Sequence, residues 1–126
     1  MLVCFMGRQV KALRDKASHC AYTGDRFTEE NPPSYEHIRP RSKRGTKRLS
    51  NGLVVTQDAN ARRGDTPFPD WLRENPGTAD HIQDYLDEMR GTRFGDKDYV
   101  EAVKPTLNRE ARGVAHFSGR KLNISV

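Results

Sequence analysis

The sequence predicts an α+β fold in which a hairpin of two strands and a short helix is embedded in a small, mostly helical domain. Three observations predict this class. Apolar residues near the start recur at helical spacing, a β-branched run follows a strong turn signal in the middle, and a second helical stripe begins near residue 78. Residues 35–64 therefore have the order strand, basic loop, strand, helix, which is a ββα module.

The first helix is predicted by an apolar stripe on one face of the N-terminal segment. Its members are Met6, Val10, Leu13 and Ala17, at positions i, i+4, i+7 and i+11. Charged residues lie largely off this stripe, so the helix is expected to be amphipathic.

The ββα module is predicted from two strand signals and a helix signal. Tyr35–Arg39 forms the first candidate strand, and the Asn51-Gly52 turn introduces Leu53–Val55, the second. Asp58 is the predicted cap of a short helix from Ala59 to Gly64.

The remaining chain is predicted to support the module. A helix is expected from Thr78, stopped by Gly91, and another from Asp98 to Lys104, ended by Pro105. Alternating apolar residues at 122, 124 and 126 predict a terminal edge strand.

The length and composition exclude several classes of protein. At 126 residues the chain has the length of one domain, with an N-terminal helix (1–19), a central module (20–70) and a supporting region (71–126). Its apolar start is six residues long, shorter than a membrane helix of ~20 residues or a secretory signal core of ~7–15. We therefore expect a soluble, cytoplasmic protein with no membrane partner.

Positive charge is concentrated in the first half of the chain. Residues 1–66 carry a net charge of +6 and residues 67–126 a net charge of −1. Clustered cations favour nucleic acid because they release counterions condensed on phosphates, although a solvated basic loop has the same composition. The predicted nucleic-acid-binding residues are Arg39, Arg41, Lys43, Arg44, Lys47 and Arg48, with Arg62 and Arg63 on the short helix.

His37 is the candidate for chemistry beside this basic loop. Neutral imidazole is well suited to take a proton from water near pH 7, and the oxygen atoms of Glu36 and an Asn amide suit Mg²⁺. Because successive strand residues point to opposite faces, Glu36 and His37 are expected to flank a phosphate rather than share one pocket wall. A lone histidine is more often a surface or core residue, and the residues alone leave that interpretation open.

Four stretches resemble, in order and spacing, the ββα-metal fold of HNH endonucleases. They are Cys20–Gly24, Tyr35–Ser42, Ser50–Val55 and Asp58–Pro67. The similarity is greatest to the HNH nuclease domain of RNA-guided CRISPR effector nucleases and their transposon-encoded relatives, and it covers about residues 20–70. It implies metal-dependent hydrolysis of DNA phosphodiester bonds, by nicking or cutting double-stranded DNA, in a protein of phage or mobile-element type.

The resemblance also implies roles for individual residues. His37 stands at the position of the general base that activates water, and Asn51 at that of the residue that holds the loop between the strands. Asn60 and Glu36 stand at the positions of the ligands of one divalent metal, Mg²⁺ or Mn²⁺. The implied catalytic set is therefore His37, Asn51 and Asn60, and Glu36 is one methylene longer than the Asp that is more common in this group.

Structural zinc is not expected. Many HNH proteins brace the module with two pairs of cysteines on Zn²⁺. The corresponding positions here are Cys20, Thr23, Thr56 and Ala59, so one ligand of four remains. Cys4 is the other cysteine of the chain, and both are expected to be reduced.

Two other classes of function remain open from the sequence. A non-catalytic nucleic-acid-binding protein would use the module to dock on DNA without cutting it, and would show salt-dependent binding alone. An inhibitory interaction protein built on an HNH scaffold would use the acidic second half as its contact surface and would not bind DNA. A homodimer, or a protein partner that presents the DNA, is open as well.

Overall fold

The computed structural model describes residues 2–40, 42, 45 and 48–114, with residues 2–6 described by their backbone. Within these residues the fold contains five α-helices and two small antiparallel sheets. The elements in chain order are α1 (Leu2–Lys16), β1 (Pro33–His37), β2 (Gly52–Thr56), α2 (Gln57–Arg63), α3 (Phe68–Glu74), α4 (Thr78–Glu88), β3 (Arg93–Phe94), β4 (Lys97–Asp98) and α5 (Tyr99–Glu110). This confirms the predicted mixed α+β class.

β1 and β2 form an antiparallel hairpin that continues directly into α2. The register runs from Pro33 opposite Thr56 to His37 opposite Gly52. The cap of α2 is Thr56 rather than the predicted Asp58: its backbone is extended and its hydroxyl accepts a hydrogen bond from the Ala59 amide at 3.2 Å. The helix can therefore start two residues before the predicted Ala59, since a hydroxyl on the last strand residue already satisfies a free amide of its first turn.

The far edge of β2 is covered by side chains of α4 and α5. The Val54 amide donates to the Tyr85 hydroxyl at 3.1 Å, and the Tyr99 hydroxyl donates to the Gly52 carbonyl at 2.6 Å. The two hydroxyls lie 2.8 Å apart. Because these groups satisfy backbone atoms that a neighbouring strand would otherwise pair, the two tyrosines attach the hairpin to the helical half.

The helical half differs from its prediction in three places. α3 and the β3–β4 hairpin were not predicted. α5 does not end at Pro105 but passes through it to Glu110. Proline removes one helical hydrogen bond, and the buried side chains of Val103 and Leu107 on either side hold the helix in place. The predicted terminal strand at 122–126 lies outside the described residues.

One cluster of buried hydrophobic residues runs from Leu13 on α1 to Val114. It takes in all three central residues of β2 and the inner faces of α3, α4 and α5. Within the described part of the chain, no helix is both long and apolar enough to cross a membrane.

A candidate active site at the end of the hairpin

The two faces of β1 carry different parts of the candidate site. Ser34 and Glu36 point toward α2, where they bond Asn60 and Arg63. His37 lies on the opposite face, beside Tyr35. Glu36 and His37 therefore face opposite sides of the strand end, as expected from strand geometry.

Tyr35 packs against the imidazole of His37. The ring centroids are 5.5 Å apart at an interplanar angle of 82°, an edge-on arrangement, and both side chains are half-buried. The Tyr35 hydroxyl donates to the Arg48 carbonyl at 3.1 Å. The ring lies across Gly52, where a β-carbon would overlap it. Gly52 has an ordinary extended backbone, so glycine is required there for space.

Asn51 fixes the first residues of the loop that follows His37. Its side-chain oxygen accepts from the Arg39 amide at 2.9 Å, and its amide nitrogen donates to the Arg39 carbonyl at 3.1 Å. The Asn51 carbonyl accepts from the Ile38 amide at 2.8 Å. The main chain of Asn51 thereby extends the hairpin pairing by one residue beyond the strand end, and its buried side chain holds the main chain of the next residue, Arg39.

Asn60 crosses from α2 to β1. Its amide nitrogen donates to the Ser34 hydroxyl at 2.8 Å and to the Tyr35 carbonyl at 3.2 Å. Because the amide NH₂ group is committed to β1, the orientation of the side-chain amide is set and its oxygen points away from these two contacts.

Glu36 forms a buried ion pair with Arg63. The carboxylate is 4% exposed and the arginine 1%, and Nη1 of Arg63 lies 2.7 Å from Oε2 of Glu36. Tyr22 donates its hydroxyl to the same oxygen at 2.9 Å. Burial raises the pKa of the Glu36 carboxyl above its ordinary value, and the charge and hydrogen bonds of Arg63 offset part of that rise.

Arg63 does not lie on a DNA-binding surface, which corrects the prediction made for it. All three nitrogens of its guanidinium donate inside the protein. Its neighbour Arg62 does lie on the surface, with an exposed ion pair to Asp58 at 3.1 Å. No local sequence signal distinguishes the two adjacent arginines, and the acidic partner of Arg63 is 27 residues away along the chain.

The described part of the basic loop remains compatible with phosphate contacts. Arg48 is exposed, and the Arg39 side chain is 47% exposed, with Nη1 3.9 Å from Oε2 of Glu110. The other predicted DNA-binding residues of the loop lie outside the described residues: Arg41, Lys43, Arg44 and Lys47.

Cys20 and Thr56 are in contact, and they are two of the four positions that the sequence resemblance aligns with the zinc ligands of zinc-binding HNH proteins. The Thr56 amide donates to the Cys20 sulfur at 3.2 Å, and its hydroxyl lies 3.7 Å from the same atom. Thr23 instead accepts from the Asp25 amide at 3.2 Å. The buried thiol thus takes part in the packing between the 20–24 loop and β2.

Tyr22 is the residue of this site that the sequence analysis missed. It lies in a turn-rich loop and contacts Glu36, 14 residues away. The inward position of Glu36 on β1 could have indicated such a partner, because a buried carboxylate needs hydrogen-bond donors.

Compared with known proteins, the chain matches no family model, and neither a curated protein nor a solved structure matches it significantly.

Proposed function

We propose that this chain is a small HNH endonuclease that hydrolyses DNA phosphodiester bonds. The observation that carries the proposal is the geometry at the end of β1. A half-buried imidazole on one face and the Glu36–Asn60 side on the other border a strand end that opens into a basic loop. A phosphate at this end would meet a base, oxygen ligands and cations together.

In this proposal His37 takes a proton from the attacking water. The edge-on ring of Tyr35 limits the rotation of the imidazole, and Asn51 holds the main chain two residues later through Arg39. A general base held in this way contributes about 10²–10⁴-fold to the rate.

Glu36 and Asn60 carry oxygen atoms of the kind that a hard divalent cation such as Mg²⁺ or Mn²⁺ prefers. The Asn60 amide nitrogen is bound to β1, which leaves its oxygen to act as a ligand. Outer hydrogen bonds to a ligating carboxylate, like those from Arg63 and Tyr22, are usual at metal sites. Mg²⁺ is typically held by one or two carboxylates together with waters and substrate phosphate. When bound, the ion would stabilise the charge that develops on the scissile phosphate.

The buried ion pair favours a second candidate, a DNA-binding protein without catalysis. Glu36 is already neutralised by Arg63 and largely withdrawn from solvent. If the carboxylate is purely structural, the basic loop would bind DNA while no bond is cut. This protein would bind DNA in a salt-dependent way.

The experiment is nicking of supercoiled plasmid by the purified protein with Mg²⁺ or Mn²⁺, and with EDTA as a control. We expect conversion to open-circular or linear DNA that EDTA abolishes. His37→Ala should lower the rate by about 10²–10⁴-fold with unchanged affinity for DNA. His81→Ala, which changes another half-buried histidine on α4, should cut like wild type.

Two results would count against the nuclease. Salt-dependent DNA binding by a wild-type protein that leaves the plasmid intact would favour the second candidate. Equal losses in His37→Ala and His81→Ala would remove His37 from the role of base.

A further inference from the structure

The guanidinium of Arg63 connects the end of α2 with the end of β1. Nε donates to the Thr66 carbonyl at 2.9 Å, Nη1 to the His37 carbonyl at 2.8 Å and Nη2 to the Ile38 carbonyl at 2.7 Å. Nη1 also donates to Oε2 of Glu36 at 2.7 Å. One side chain thus binds the main chain of the candidate base and the carboxylate of the candidate ligand.

Tyr22 and α3 hold this guanidinium in place. The Tyr22 hydroxyl accepts from Nη1 at 2.9 Å and donates to Glu36 at 2.9 Å, so it bridges the ion pair. The Phe68 ring lies 5.6 Å from the centre of the guanidinium, and the Trp71 ring packs on Tyr22 at 5.4 Å. The surrounding aromatic rings exclude water, which strengthens each of these polar contacts.

We propose that Arg63 is a positioning residue of the active site, which with Tyr22 fixes the Glu36 carboxylate and the main chain of His37 and makes no contact with DNA. This inference rests on the proposed nuclease function. A catalytic group must be held within a fraction of an ångström of its productive position, and the groups behind it do this. Arg63 thus binds the carboxylate on one face of β1 and the main chain of the residue whose side chain lies on the other face.

The planar fork of arginine is required for this role. Its donors reach two successive carbonyls and a carboxylate in fixed directions. A lysine carries the same charge on a single nitrogen and cannot reproduce the fork. Arg63→Lys therefore separates geometry from charge.

The test uses the full chain with Arg63→Lys, Tyr22→Phe and the control Arg90→Lys. Arg90 is exposed and pairs with Asp87 on the surface of α4. Three experiments are made: plasmid-nicking kinetics for kcat and KM, electron paramagnetic resonance for Mn²⁺ affinity, and NMR for the amide shifts of Ile38 and Arg39. Those two amides follow the carbonyls that Arg63 binds.

We expect Arg63→Lys to lower kcat and Mn²⁺ affinity by about 10–100-fold, the usual effect of removing a group behind a metal ligand, with KM unchanged. The amides of Ile38 and Arg39 should shift in Arg63→Lys and stay in place in Arg90→Lys. Tyr22→Phe, which removes a single oxygen atom, should act in the same direction with a smaller effect and covers the case in which Arg63→Lys does not fold.

A folded Arg63→Lys protein with wild-type kcat, Mn²⁺ affinity and amide shifts would overturn the proposal. A raised KM at unchanged kcat would also overturn it, because it would return Arg63 to the DNA surface. An inactive wild-type protein contradicts the proposed nuclease instead, and the Mn²⁺ and amide measurements then still decide whether Arg63 holds this strand end.

Discussion

The two faces of β1 place adjacent residues in different surroundings. The inner face carries Ser34 and Glu36 and packs against α2, and the outer face carries Tyr35 and His37. The inner face buries the charge of Glu36 and satisfies it with Arg63 and Tyr22. The outer face leaves the His37 imidazole half-exposed and restrains it with the Tyr35 ring. A general base, the role proposed for His37, must meet water and substrate, whereas a carboxylate can be held by hydrogen bonds from inside the protein.

The side chains on the two faces of β1 are held in place by different forces. Polar contacts dominate the inner face, where the low dielectric makes both the ion pair and the loss of one partner costly. On the outer face steric packing is the main restraint, because the Tyr35 ring fills the space next to Gly52. The two faces should therefore respond differently to small changes.

The largest expected effect is that of Arg63→Met on the inner face. It leaves the Glu36 carboxylate buried without its partner, which costs about 3–5 kcal/mol of unfolding free energy. Urea unfolding measures the loss, and Arg90→Met, in the exposed turn just after α4, is the matched control, with an expected change of at most about 0.5 kcal/mol.

A double variant sharpens this prediction. Glu36→Gln in the Arg63→Met background removes the uncompensated charge, so it should recover part of the lost stability. Equal, small losses in Arg63→Met and Arg90→Met would show that the inner face does not depend on the ion pair.

The sequence predicted the elements with regular patterns and not those set by distant contacts. The Leu53–Val55 run and the apolar stripe around Leu13 were sufficient for β2 and α1, both of which are confirmed. The seven residues of α3 span two turns, too few for a clear helical period. The passage of α5 through Pro105 depends on tertiary packing, which overrides the local signal.

The residues of the candidate site also fall into two groups, those that the sequence predicted and those that it did not. His37, Asn51 and Asn60 were selected through motif spacing, and their roles remain predictions. The burial of Arg63 could not be predicted, because an arginine next to Arg62 in a basic half of the chain has the pattern of a surface residue. Its buried side-chain partners, Glu36 and Tyr22, are 27 and 41 residues away in sequence.

Gly52→Ala on the outer face should lower the free energy of unfolding by less than Arg63→Met does. The added methyl group overlaps the Tyr35 ring, and overpacking of this kind costs about 1–3 kcal/mol. Thermal or urea unfolding measures it. Gly7→Ala in α1 is the control: among the described residues, no atom beyond the adjoining turns of the helix lies within 4 Å of a β-carbon placed there, and alanine should stabilise the helix by about 0.5–1 kcal/mol.

A double-mutant cycle identifies the cause of the Gly52→Ala loss. With Tyr35→Ala present, the ring is gone and Gly52→Ala should cost much less, so the two changes should be strongly non-additive. Strict additivity would mean that the ring does not determine the need for glycine at this position.

The smallest expected effect is that of Tyr35→Phe, which removes an exposed hydrogen bond to the Arg48 carbonyl and should cost about 0.5 kcal/mol at neutral pH, the lower end of the usual range for a hydrogen bond. The cost should depend on pH. Burial raises the pKa of Tyr35 above its ordinary value, so the stability that comes from the neutral hydroxyl is fully present below about pH 10 and is lost as the pH rises through the folded-state pKa. Urea unfolding of both proteins at about pH 8 and pH 11 should therefore show wild type losing more stability than Tyr35→Phe. A difference between the two proteins that is independent of pH would indicate that the phenol of Tyr35 ionises as freely in the folded chain as in the unfolded one.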